Sequence, residues 1–321
     1  MKRHLLCLTV DIDPDGLSGK VTNRQALQWN GLEQLRHFPE ALYSFADASC
    51  IGRLPMTWFI RADGQLESIL GSPAYLIETY DDLWTMVKAQ GHELAWHPHL
   101  YRQTSAEEEA TLITDPIQAQ DELQRLWNHL KTTFHPTTFR NGEGWHTSGT
   151  YSAVEQLGFL CDSTAIPGRN GGLHHPMNWE GAPNQPYFPA EGNLCRSGPE
   201  RTMLELPMNT WLLQAPHDHV PRVRYMNPAV HPHLFANALS NWENACRVSP
   251  ADLTIWVMIF HPDEVLASQG TDALYSRSTV EMCANLAAVV EALRRLGHEF
   301  EWVTVSDAAD RWRRNQQRQI A

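Results

Sequence analysis

No CxxC pair, no apolar run approaching twenty residues and no basic block beyond a short arginine-rich tail (Arg311, Arg313, Arg314, Arg318) occur in this chain of 321 residues. The first absence excludes a zinc knuckle and a dithiol redox motif. The six scattered cysteines, Cys7, Cys50, Cys161, Cys195, Cys246 and Cys283, read as reduced thiols, with Cys7 and Cys161 inside apolar strands. The second absence excludes a membrane-spanning helix. The third, with a formal net charge of −12, argues against nucleic-acid and anionic-membrane partners. An export signal is not visible either: the apolar run Leu5 to Val10 is short and stops at Asp11. A cytoplasmic protein that begins with a strand is expected. There is no sequence repeat and no linker, so a single domain over 1–321 is expected.

What is present is an alternation of apolar runs and helical patterns. Strands are predicted at Leu5–Val10, Pro55–Ile60, Glu93–Trp96, Thr137–Arg140, Phe159–Asp162, Met203–Pro207, Thr254–Phe260 and Glu299–Val303. Helices are predicted at Asn23–Leu42, Leu76–Gln90 (closed by Gly91), Ser105–Lys131 (divided by Pro116), Thr147–Leu157, His233–Cys246 and Ser278–Leu296, with a short Ser306-capped helix after the last strand. Residues 14–50 read as a helical insertion, and the Gly/Pro-rich stretch 167–199 as a loop able to act as a lid. Strand–helix alternation predicts an α/β fold of parallel strands.

Polar residues fall at the ends of the apolar runs. Asp11 and Asp13 follow the first, Arg61 and Asp63 the second, His97 and His99 the third, Arg140 the fourth and Asp162 the fifth. Asn209 lies past the sixth and His261 ends the seventh. In parallel α/β barrels the carboxyl ends of the strands share one face, where the chemistry sits. Residues two apart on extended chain point the same way, so His97 and His99 can converge on one metal ion if a third ligand arrives. Asp11 and Asp13 share a face likewise; one can serve a metal and the other a water. The second His-Pro-His, His231 to His233, follows no strand and reads as a helix start, and His92 reads as structural. His174, His175, His217 and His219 lie in loops. Trp145, Trp179 and Trp211 could stack on a sugar ring or belong to the core.

The chain resembles the NodB-homology polysaccharide deacetylases, carbohydrate esterase family four. Four segments carry the resemblance: Leu8–Asp13; Gly91–His99; Phe139–Gly142 with Leu157–Phe159 and Asp162–Ser163; and Met258–Asp263. The chain departs from the family pattern in having Asp-Ile-Asp for an adjacent Asp pair, as in intracellular, allantoinase-like branches. It also has Tyr101 where the second histidine usually stands, and no Arg-x-Pro-Trp. The resemblance implies an irregular (β/α) barrel of about seven parallel strands and a divalent metal, Zn by default, with Co, Ni, Mn or Fe able to fill the site.

In that reading Asp13, His97 and His99 bind the metal, Asp11 is the general base, His261 the general acid, and Arg140 orients Asp11. The expected reaction is hydrolysis of an N-acyl amide in a sugar, oligosaccharide or small metabolite. Two alternatives stand beside it: a non-catalytic carbohydrate-binding or regulatory protein with a decayed site, and a non-heme Fe(II) oxygenase using the same His/His/Asp set.

Overall fold

The computed structural model describes residues 2–15, 27–49, 53–103, 109–267 and 273–320. Its centre is an eight-stranded sheet in which every pairing is parallel. In chain order the strands are β1 (Arg3–Ile12), β2 (Met56–Arg61), β3 (Glu93–His97), β4 (Thr138–Phe139), β5 (Cys161–Asp162), β6 (Leu204–Glu205), β7 (Leu253–Phe260) and β8 (Glu299–Trp302). The order across the sheet is β6-β5-β4-β3-β2-β1-β7. The eighth strand, β8, pairs with Arg3–Leu6 of β1, while β2 takes Leu8–Ile12. The sheet curls into the irregular barrel that the family resemblance implies, and its strands are parallel as the strand–helix alternation predicts.

Period-two alternation sorts β1 into two faces. Leu6, Leu8, Val10 and Ile12 join the core shared with the helices. Leu5 and Cys7 face the barrel interior with Phe59, Ala95, Cys161, Leu204, Ile255 and Val257. Val305, Ala308 and Ala309 of the last helix belong to that inner cluster, so this helix plugs the amino-terminal end of the barrel. The next inward positions along β1 are Thr9 and Asp11, both buried. The interior therefore turns from apolar to polar toward the carboxyl end.

The barrel wall between β6 and β7 is closed by side chains in place of a strand ladder. Asn209 donates its N–H to Val257 O and accepts from Val257 N through Oδ1 (3.2 and 2.6 Å). Gln185 does the same for Ile255 with its amide (3.0 and 2.8 Å). Met226 O accepts from Ile259 N at 2.9 Å. A strand with buried, unpaired backbone groups would be costly, and two carboxamides meet that demand. Asn209, expected at the active face, is thus a structural stitch.

Among the described residues ten α-helices surround the sheet: α1 (Asn30–Leu35), α2 (Phe38–Ala48), α3 (Gly64–Leu70), α4 (Tyr75–Thr79), α5 (Asp81–Ala89), α6 (Pro116–Leu130), α7 (Ser148–Gln156), α8 (Pro232–Val248), α9 (Thr279–Leu296) and α10 (Val305–Ile320). Several predicted boundaries need correction. The helix expected from Ser105 starts at Pro116, because Asp115 caps it by accepting from Gln118 N and proline suits the first turn. Residues 105–108 of that expected helix, and Cys50, lie outside the described residues. The single helix expected over 23–42 is two, α1 and α2, with 23–26 outside the described residues. Leu76–Gln90 breaks at Tyr80 into α4 and α5, and Gly91 follows with φ +81°. The final helix is sixteen residues long and is capped by Thr304, whose Oγ1 accepts from Asp307 N, not by Ser306.

The 167–199 stretch is not structureless. It holds a 3-10 turn at Gly172–His174 and a hairpin of Pro189–Ala190 with Asn193–Ser197. Trp145, Trp179 and Trp211 are buried, and Trp179 Nε1 donates to Gly144 O, which settles them in the core. The five described cysteines are free. No helix of the described residues is long and apolar enough to cross a membrane.

Candidate active site

The carboxyl ends of β1, β2, β3 and β7 open into one cavity of about 460 Å³. Its walls include Asp11, Asp13, Arg61, His97, His99, Arg140 and His261, so the polar residues at the ends of five apolar runs meet there. Asp63 and Asp162 do not line it. Asp63 caps α3, accepting from Gln65 N and Leu66 N, and its other oxygen accepts from His99 N at 3.1 Å. Asp162 is fully buried beside His146 (3.3 Å). Among the loop histidines, His175 reaches the cavity, whereas His217 is exposed. His92 is buried and accepts from Met56 N through Nδ1, a structural role. His231 and His233 stack on each other at the start of α8.

Asp13, His97 and His99 offer ligand atoms that all lie within 4.8 Å of one another. His97 Nε2 and His99 Nε2 are 3.2 Å apart, and Asp13 Oδ1 is 3.1 Å from His99 Nε2. The outer nitrogens decide what these groups present. His97 Nδ1 donates to Arg140 O at 2.9 Å, and His99 Nδ1 faces Glu143 Oε1 at 3.4 Å. Each Nε2 then turns a lone pair toward the same point, beside a carboxylate. Such a convergence calls for a cation, and imidazoles held from behind by a carbonyl or carboxylate are typical of metal ligands. The residues present therefore fit a divalent metal. In the protein without a cation a proton substitutes. Burial opposes charge on His99, but Asp13 and Glu143 push its pKa up to about 9. Burial likewise opposes the Asp13 carboxylate, yet His99, His97 and Arg61 hold it well below the usual range. Burial lowers the pKa of His97.

Asp11 lies beside this cluster, its Oδ2 3.6 Å from His97 Nε2. Its Oδ1 accepts from Arg140 Nη1 at 2.6 Å. Arg140 is fully buried and stacks on Phe59 at 3.8 Å; its remaining donors go to Thr9 Oγ1, Ser163 O and Ser163 Oγ. The guanidinium is thus fixed on every side, and Asp11 with it. On the opposite wall His261 Nε2 stands 3.9 Å from Asp13 Oδ2, while its Nδ1 is 3.2 Å from Glu264 Oε1. Burial lowers its pKa, but Tyr225 and Glu264 outweigh that and raise it well above the ordinary value. An imidazole so placed holds a proton at Nε2, facing the cavity.

Sequence reasoning missed Glu143 and Glu264. Glu143 has φ +57°, a conformation uncommon for a side-chain-bearing residue, and it bridges His99 and His175 (3.4 and 3.6 Å). The Gly142-Glu143-Gly144 sequence directly after a strand was a usable signal. Glu264 belongs to the turn His261-Pro262-Asp263-Glu264 and accepts from His261 N at 2.9 Å, the spacing of a capping box.

No protein-family model matches the sequence, and no curated protein matches it. Solved structures do match. One is a candidate polysaccharide deacetylase from Mycobacterium smegmatis, at 17% identity over 98% of this chain and 92% of that one, with a TM-score of 0.55. Another is Puue allantoinase, at 13% identity over 96% of this chain and 90% of that one, with a TM-score of 0.51. A third is 4-alpha-glucanotransferase from Thermococcus litoralis, at 12% identity over 97% of this chain but 40% of that one, with a TM-score of 0.50. A transferase among them shows that this architecture alone does not select a reaction. The chain has the irregular (β/α)-barrel fold found in a candidate polysaccharide deacetylase and in an allantoinase.

Proposed function

We propose that the protein is a metal-dependent hydrolase that cleaves the amide C–N bond of an N-acylated sugar or small metabolite, with N-acetyl compounds the leading candidates. The observation that carries this reading is the convergence of Asp13, His97 and His99, with Asp11–Arg140 on one side and His261–Glu264 on the other. Asp13, His97 and His99 would hold the metal, with Zn the default for two imidazoles and a carboxylate. A bound divalent ion supplies Lewis acidity toward the amide carbonyl and a water of lowered pKa. Asp11, aimed by Arg140, takes the proton of the attacking water. His261 gives its Nε2 proton to the departing amine, and Glu264 offsets the imidazolium charge. The oxygenase alternative loses ground because those sites sit mostly in antiparallel barrels and this sheet is parallel throughout. Residence in the cytoplasm belongs to the same reading, and the free cysteines support it.

The test is hydrolysis of N-acetylated amino sugars and small amides by metal-loaded protein. Asp11→Asn is expected to lower kcat by about 10²- to 10⁴-fold. Equal rates in the two proteins would remove the assigned base, and ligand binding without turnover would favour a binding protein.

A further inference from the structure

Among the described residues three guanidinium groups line the cavity, and two of them have carboxylate partners. Arg61 pairs with Asp63 at 2.6 Å and approaches Asp13 at 3.5 Å. Arg140 pairs with Asp11. Arg169 differs: among the described residues its side chain meets no carboxylate, and its contact is with the face of Tyr225 at 5.9 Å. The Arg169 backbone is nevertheless anchored, its N–H donating to Ile166 O and its carbonyl accepting from Trp179 N. A second cavity of about 200 Å³ adjoins the first, and Arg169 and Tyr225 line both. The smaller cavity is also lined by Arg224, whose Nε is buried without a hydrogen-bond partner while its Nη2 serves Asp218.

We propose that Arg169, at the threshold between the two cavities, binds a carboxylate on the substrate, so that the substrate is an acidic N-acyl compound. This deepens the amide-hydrolase reading and rests on it. Arg169 is half-buried on an anchored backbone, and its guanidinium, with no carboxylate beside it among the described residues, is open to an anion whose two oxygens match its planar fork in two parallel hydrogen bonds. One such group matches a monoanion. The cavity walls agree with this: no tryptophan of the described residues lines the larger cavity, and the Tyr225 ring that does line it carries Arg169 over its face. The scissile amide then lies over the Asp13, His97 and His99 cluster, with the acidic end toward the side cavity.

Wild-type, Arg169→Met and Arg169→Lys proteins, loaded with Zn²⁺, are to be assayed on a panel of N-acetyl amino acids and on the corresponding amides, in which a carboxamide replaces the carboxylate. The wild type is expected to prefer the acid over its amide by about 30-fold in kcat/KM, carried by KM. Arg169→Met is expected to bring that ratio close to one, and Arg169→Lys to restore part of it. A wild-type ratio near one, or an unchanged ratio in Arg169→Met, overturns the proposal. Calorimetric binding of the same acids to the metal-free proteins separates the two levels. Arg169-dependent binding without turnover keeps the carboxylate site and removes the hydrolase reading. Turnover without acid preference does the reverse, and neither binding nor turnover overturns the site.

Discussion

His97 Nδ1 lies 2.9 Å from the carbonyl oxygen of Arg140, the residue whose guanidinium holds Asp11 at 2.6 Å. One residue at the end of β4 thus orients a candidate ligand through its backbone and the candidate base through its side chain. The two functions can be separated by mutation, because a side-chain change leaves the carbonyl in place.

Arg140→Gln strands the buried Asp11 carboxylate. The urea-unfolding free energy is expected to fall by about 3–5 kcal/mol, as for other broken buried pairs. Arg140→Lys keeps the charge but cannot serve Asp11, Thr9 and Ser163 together, so it should fall between the two in stability and activity. A loss below about 1 kcal/mol in Arg140→Gln would show that Asp11 does not depend on this pair.

Gly142 lies against the ring of His99. A Cβ there would meet His99 Cδ2 at 2.4 Å and Cγ at 2.5 Å. Gly142→Ala should therefore displace the His99 imidazole and weaken metal binding by about 10- to 100-fold, comparable to loss of an outer-shell partner. Titration with Zn²⁺ against a competing chelator measures this, with circular dichroism to show that the fold persists. Unchanged affinity would mean that His99 is not a ligand.

Metal binding should be proton-linked. The metal-free protein keeps a proton on His99 up to about pH 9. A cation must displace it at any lower pH, so apparent affinity should rise by about tenfold per unit between pH 7 and 9 and level off above. Calorimetry in buffers of different ionisation enthalpy counts the released proton. Release of none near pH 7.5 would contradict the arrangement.

His92 supplies an acid sensitivity remote from the cavity. Burial, with a smaller effect of Arg53, lowers its pKa to about 4, and its Nδ1 must stay unprotonated to accept from Met56 N. The unfolded chain takes up the proton near pH 6.5, the folded protein only near pH 4. Between those values the unfolded state binds more protons, so stability falls as pH falls, by roughly 3 kcal/mol from this residue. Denaturant midpoints from pH 7 to 4 should show the decline, and His92→Asn should flatten it. An unchanged slope in that variant would assign the effect elsewhere, with His4 the next buried histidine.

Much of the architecture was legible because burial writes itself into the chain. The β7 run Leu253–Phe260 and the β1 run Arg3–Ile12 stand out by apolar content, and α9 by its Ser278 cap and Gly297 stop. Short strands were legible only as regions: β4 and β5 hold two residues each where four were predicted. Helix boundaries erred where a cap outweighed periodicity, as at Asp115.

The sequence by itself suggested that Asp11 and Asp13, and His97 and His99, share a face, from period two on extended chain, although the strands end at Ile12 and His97 and the second member of each pair is placed by the turn that follows. It also determined that polar groups gather where apolar strands end. Only the tertiary structure decided which of them meet. Asn209 went to the barrel seam, Asp63 to a helix cap and Asp162 below the cavity, while Glu143, Arg169 and His175 came in from loops. The reason is that strand spacing is a local, repeating geometry, whereas the position of a loop side chain depends on contacts with residues far away in the chain.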